Sequence, residues 1–105
     1  MLLIETPIFT RRIQPILSDD EYHLLQQALV ARPEAGKIIP GSGGLRKMRW
    51  RLPGSGKRGG IRVIYYWWKE SSKILLLFVF SKSEQDNLTP AQLRQIRSIV
   101  EREFL

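Results

Sequence analysis

No cysteine occurs anywhere in the 105 residues, which rules out disulfides, thiolate metal sites and a cysteine nucleophile. Histidine is nearly as scarce. The single one, His23, stands between Tyr22 and Leu24 in a stretch with helical spacing and reads as a surface or partly packed residue rather than a catalyst. Long apolar runs are missing as well: the longest, Ile74 to Phe80, is far below the ~20 residues that cross a bilayer. The opening Met-Leu-Leu-Ile-Glu-Thr-Pro has too short an apolar run for a secretory signal and lacks the positive residues that should precede it. A reducing cytoplasm and no membrane association are therefore expected.

The most informative shortage is local. From Ala35 to Lys69 the chain carries nine Lys or Arg and no Asp or Glu, whereas the stretches on either side mix both signs, as solvated helices do. Overall the formal charge is +7 and the sequence pI about 10.3. Neutralising phosphates with Lys and Arg releases condensed counterions, so a segregated basic surface points to a polyanion, RNA above all. Charge that merely kept the protein in water would not need to be confined to the middle of the chain. With 43% hydrophobic residues, the chain is apolar enough to bury a core, and a single domain over residues 1–105 is expected.

Local signals order the elements. Leu2 to Glu5 reads as a short strand. Thr6-Pro7 supplies an N-cap and a first helical residue for a short helix that Pro15 interrupts. Ser18 and Glu21 form a capping-box pair ahead of Tyr22, Leu25, Ala28 and Leu29 at helical spacing, and Arg32-Pro33 ends that run. Gly36, Pro40, Gly41, Gly43 and Gly44 mark a loop. In the basic strand that follows, a period of two sets Met48, Trp50 and Leu52 on one face and Lys47, Arg49 and Arg51 on the other. Ile61 to Trp68 is a β-branched and aromatic strand bearing Arg62 near its start, and the glycine-rich Pro53 to Gly60 reads as a hairpin loop before it. After a turn over Glu70 to Lys73, Ile74 to Phe80 is apolar on both faces and reads as a covered central strand. Thr89 and Gln92 make a second capping box, with Pro90 at the first helical position, for a helix striped by Leu93, Ile96, Val100 and Phe104. The expected fold is α+β in the order β-α-α-β-β-β-α, a mainly antiparallel sheet with helices packed on it.

Several familiar motifs fail on context. Gly54, Gly56 and Gly59 match Gly-x-Gly-x-x-Gly, but a strand follows where dinucleotide binding needs a helix. Gly56-Lys57 resembles the end of a phosphate-binding loop, yet Arg58 follows the lysine and Arg51 stands where the leading glycine belongs. Glu84 and Asp86 lie in a polar turn that starts a helix, where such charges are ordinary, so no metal or other cofactor is expected. The group Tyr65, Tyr66, Trp67 and Trp68 has rings suited to stacking on bases, but alternation within a strand commits most of them to packing.

Taken in order, four segments resemble the HigB-like branch of the RelE toxins, within the RelE/ParE superfamily. They are Gly-Gly-Leu-Arg-Lys-Met-Arg-Trp from Gly43, Gly-Ser-Gly-Lys-Arg-Gly-Gly from Gly54, Ile-Arg-Val-Ile-Tyr-Tyr from Ile61, and Phe-Ser-Lys-Ser-Glu-Gln-Asp-Asn-Leu-Thr-Pro-Ala-Gln from Phe80. The likeness runs from Leu2 to the final helix. It implies the toxin of a type II toxin-antitoxin pair, a ribosome-dependent mRNA interferase that enters the decoding site and cuts translated messenger RNA, inhibiting translation. It implies, too, a cognate antitoxin, HigA-like with a helix-turn-helix domain, and the ribosome as partner. The family's paired basic positions in the second strand fall on Lys47 and Arg49, its arginine at the start of the third strand on Arg62, and a basic residue after the fourth strand on Lys82. The chain departs from other members at Ser83, where some have arginine, and at Leu88 and Thr89, where a tyrosine occurs, and it lacks a histidine found in this region.

RNA carries its own nucleophile, the 2′-hydroxyl. A metal-independent endoribonuclease therefore needs that oxygen aligned with the adjacent phosphate, charge stabilisation, and a proton for the leaving 5′-oxygen. Lys47, Arg49, Arg62 and Lys82 would supply fixed cations from strand ends, with Lys47, between Arg46 and Arg49, as candidate base and Lys82 as candidate acid. Arg46, Arg51, Lys57 and Arg58 suit the gripping of ribosomal or messenger phosphates. Two other functions fit parts of the sequence. A ParE-like toxin that inhibits gyrase would share the fold without needing clustered strand cations, and a non-enzymatic RNA-binding module would need only charge and aromatics. No helix-turn-helix pattern is present, so direct DNA binding by this chain alone is not expected.

Overall fold

Thr6 turns the chain from β1 (Leu2–Glu5) into α1 (Pro7–Ile13). Its hydroxyl accepts the Phe9 N–H at 3.1 Å as an N-cap and donates to the Leu77 carbonyl at 2.9 Å, which ties the helix start to a distant strand. Ser18 opens α2 (Asp19–Ala31) with a complete capping box, its hydroxyl accepting the Glu21 N–H and the Glu21 carboxylate accepting the Ser18 N–H. Together these helices place Phe9, Ile13, Leu17, Leu25 and Leu29 on one face of the sheet. In this computed structural model residues 1–52 and 60–104 are described, Phe104 by its backbone alone. The expected hairpin loop, with Lys57 and Arg58, and the Phe104 side chain lie outside the described residues.

The sheet has five strands: β1, β2 (Lys37–Ile38), β3 (Arg46–Arg51), β4 (Gly60–Trp68) and β5 (Lys73–Ser81). They lie in the order β1-β5-β4-β3-β2, with β1 parallel to β5 and every other pair antiparallel. The fold is the expected α+β, but the order β-α-α-β-β-β-α omits β2. Two residues are too short to show a period, and Lys37 and Ile38 become a strand only by pairing with Lys47 and Arg46. A short 3₁₀ turn, Lys69–Ser71, and Ser72 in the left-handed region link β4 to β5. The last helix, α3 (Pro90–Phe104), starts on the expected reciprocal pair: Gln92 N–H to Thr89 Oγ1 at 3.1 Å and Thr89 N–H to Gln92 Oε1 at 3.0 Å.

Two apolar layers sandwich the sheet. Under α1 and α2 lie Met48, Ile61, Val63, Tyr65, Ile74, Leu76 and Val79; under α3 lie Leu45, Ile64, Leu75, Leu77, Phe78 and Phe80, meeting Ile96 and Val100. The β5 residues change phase between Leu76 and Val79 because the register steps from Tyr65↔Leu76 to Ile64↔Phe78, leaving Leu77 as a bulge. A bulged residue loses its ladder partner, and the Thr6 hydroxyl supplies one to its carbonyl. Strand pairing therefore gives Phe78 and Phe80 to the α3 face, beside Ile64 and Arg62 respectively.

Candidate active site

Strand parity assembles the cations. Lys47, Arg49 and Arg51 alternate with the core residues Met48 and Trp50 along β3, so they stand on the α3 face. Arg49 is the direct cross-strand partner of Arg62, whose other neighbour is Phe80. Directly opposite residues on an antiparallel pair hold their Cβ atoms about 5 Å apart. Arg51 pairs with Gly60, and the Lys82 N–H donates to the Gly60 carbonyl at 3.2 Å, which brings Lys82 to the same end of the sheet. Lys47, Arg49, Arg51, Arg62 and Lys82, drawn from three stretches of chain, thus occupy one region.

Arg62 is the unusual member. It is only 9% exposed, yet among the described residues its side chain makes only a 3.4 Å contact, from Nη1 to the Ile61 carbonyl. Among the described residues no carboxylate forms an ion pair with any of the five cations; the three ion pairs are Arg12–Glu84, Arg32–Glu34 and Arg97–Glu101. Burial first, and the Arg49 charge second, pull the Arg62 pKa below its ordinary value. Buried charges are ordinarily paired. Gly60 keeps the space beside it open: a Cβ there would sit 3.2 Å from the Trp50 carbonyl and 3.8 Å from Arg62 Nη1.

A polar loop between β5 and α3 borders this region. Lys47 Nζ donates to Asn87 Oδ1 at 3.0 Å. The Gln85 amide donates to the Asn87 carbonyl and to Gln92 Oε1, both at 2.8 Å, so the loop is braced against the capping box of α3. On the other side of Lys82, Glu84 accepts the Ser81 N–H at 2.9 Å and the Arg12 guanidinium at 2.5 Å, while Arg12 Nε donates to the Val79 carbonyl at 2.6 Å. Arg12 bonding, ahead of the Ser81 bond, holds the Glu84 carboxyl below its ordinary pKa.

Arg46 does not join the cluster. It pairs with Ile38 and Tyr65, hence it faces α2, where its Nη1 donates to the Gly36 and Glu34 carbonyls at 2.8 and 3.2 Å and its guanidinium lies 5.9 Å from the Trp67 ring centre. Arg46, expected to grip phosphates, thus stands on the opposite face of the sheet from Lys47 and Arg49, turned there by the same strand parity. Tyr65 is fully buried, donating to the Pro33 carbonyl at 2.6 Å and accepting the Gly36 N–H at 2.8 Å, while Tyr66, Trp67 and Trp68 are half-buried. His23 is exposed on α2. Among the described residues no group of three or more His, Cys, Asp or Glu is placed to hold a metal, and no helix is long and apolar enough to cross a membrane.

A family model for the RelE toxin of the RelE/RelB toxin-antitoxin system matches residues 8–104. The chain belongs to the RelE toxin family. Its fold is that of a mutant of the E. coli toxin RelE in the free state, with a TM-score of 0.58 at 17% identity, covering 99% of this chain and 97% of that one. In this RelE-family toxin, sequence reading missed three contributors near the cations: Lys37, opposite Lys47; Asn87, bonded to Lys47; and Arg12, which anchors Glu84. The acid-free interval from Ala35 onward contains Lys37, but nothing local shows which strand it faces.

Proposed function

We propose that this protein is the toxin of a HigB-like toxin-antitoxin pair and a ribosome-dependent endoribonuclease. The observation that carries the reading is Arg62, a buried guanidinium facing Arg49 with no carboxylate partner among the described residues. A site that sets Arg62, largely withdrawn from water, against the charge of Arg49 is organised for an anion brought by a ligand, and a phosphate that gains charge in the transition state gains most from it.

In the proposed reaction the 2′-hydroxyl of a messenger nucleotide attacks the adjacent phosphorus. Lys47 takes the hydroxyl proton, Arg62 and Arg49 stabilise the phosphorane oxygens, and Lys82 protonates the 5′-oxygen as its bond to phosphorus breaks. A cyclic 2′,3′-phosphate and a free 5′-hydroxyl result. Since the nucleophile belongs to the RNA, no step of the proposed chemistry is assigned to a metal. Arg51, with Lys57 and Arg58, adds contacts to messenger or ribosomal phosphates. The partners are the cytoplasmic ribosome and a HigA-like antitoxin bearing a helix-turn-helix, encoded in a neighbouring frame.

Primer extension on messenger from cells producing the protein tests this. Cuts within translated codons are expected, reduced at least ~100-fold by Arg62→Ala, the cost typical of removing one preorganised charge-stabilising donor. Intact messenger with arrested DNA supercoiling would replace the nuclease reading with a ParE-like one, and binding without cuts would leave an RNA-binding module.

A further inference from the structure

Lys37 stands directly opposite Lys47 in the β2–β3 pairing, and residues so paired share a face. Like charges in that position repel, and among the described residues neither lysine forms an ion pair with a carboxylate. Lys37 is exposed and Lys47 half-buried. The cations of this face therefore step from strand to strand: Arg62 on β4, Arg49 and Lys47 on β3, Lys37 on β2. In the other direction the row meets Phe80 and Phe78 on β5, both buried. Among the described residues the cations of this row run from Arg62 toward the β2 edge, with Lys82 beyond the end of β5.

We propose that Lys37 holds a second phosphate of the RNA strand whose scissile phosphate lies at Arg62, so that the strand leaves the site across β3 and β2. The inference rests on the nuclease reading above. Neighbouring strands lie about 4.8 Å apart, so β2 is roughly 10 Å from β4, within reach of a long side chain and a phosphate further along the same strand. The Asn87 oxygen accepts from Lys47 Nζ and holds it toward the β5–α3 loop, which leaves Lys37 as the cation for the next phosphate. The sheet edge acts as a track rather than a wall.

The test uses the full chain and a single-stranded oligoribonucleotide with methylated 2′-hydroxyls, which is bound without being cut, in a fluorescence-anisotropy titration over a range of salt. Lys37→Ala is expected to weaken binding several-fold at low salt and to flatten the slope of log K against log salt by about 0.7, the value for one phosphate contact on a single strand. Lys37→Arg should keep the slope. Arg11→Ala, an exposed cation on α1, serves as the control for total charge and should keep it too. An unchanged slope for Lys37→Ala, or an equal fall for Arg11→Ala, overturns the proposal. Failure of the nuclease reading shows separately, as messenger left intact in cells producing the unaltered protein.

Discussion

Replacing Arg62 with methionine is expected to stabilise the fold while disabling it. The side chain is 9% exposed, faces Arg49 and has no carboxylate partner among the described residues. Methionine retains an unbranched stem of similar reach against Phe80 and removes the charge. At about 6 Å and an effective dielectric near 20, two unit charges repel by roughly 3 kcal/mol. Arg49 is exposed, so solvent reduces this to about 1 kcal/mol. The desolvation cost of a buried ion, several kcal/mol before partial hydration is counted, is relieved as well, and a net gain of about 1–3 kcal/mol results. For a domain of this size each kcal/mol moves the melting temperature by roughly 4–8 °C. Urea unfolding of wild type and Arg62→Met should show a raised midpoint with an unchanged m-value. Inorganic phosphate should then narrow the gap by stabilising the wild type alone, by about 2.7 kcal/mol at one hundred times its dissociation constant. General salting effects act on both proteins and cancel in the comparison. A variant that is less stable than wild type, or equally protected by phosphate, would refute the idea that Arg62 is an uncompensated charge awaiting an anion.

Two further outcomes follow from the same structure. Tyr65→Phe strands two buried partners, the Pro33 carbonyl and the Gly36 N–H, and should cost about 2 kcal/mol or more, read as a lowered urea midpoint at constant m. Glu84 has a folded-state pKa below its ordinary 4.5, so its contribution is complete above that value and drains away as pH falls through the lower, folded value. Urea midpoints followed from about pH 6 to about pH 3 should thus drop more for wild type than for Glu84→Gln, by under ~1 kcal/mol because both partners are partly solvated; parallel curves would contradict the Arg12–Glu84 anchor.

Much of this molecule is written in short-range signals. Thr6-Pro7, Ser18 with Glu21, and Thr89-Pro90 with Gln92 each satisfy orphan amides of the helix they begin, and that chemistry needs only neighbours three residues away. Period-two alternation separates Met48 and Trp50 from Lys47 and Arg49 by the same local logic. The segment Ile74 to Phe80 marks the limit of this logic. Being apolar throughout, it does not show its bulge at Leu77, because a run with no polar residue has no phase to read.

The sequence alone therefore determined the helices, the principal strands and the concentration of positive charge, since caps, turns and alternation are set by residues close along the chain. Register was decided only by the tertiary structure. It made a strand of Lys37–Ile38, set Lys37 against Lys47 and Arg49 against Arg62, turned Arg46 to the opposite face, and brought Asn87 to Lys47. Those pairings join residues up to 40 positions apart, and they are fixed by how two apolar layers pack against both faces of one sheet, a condition that no local stretch of residues contains.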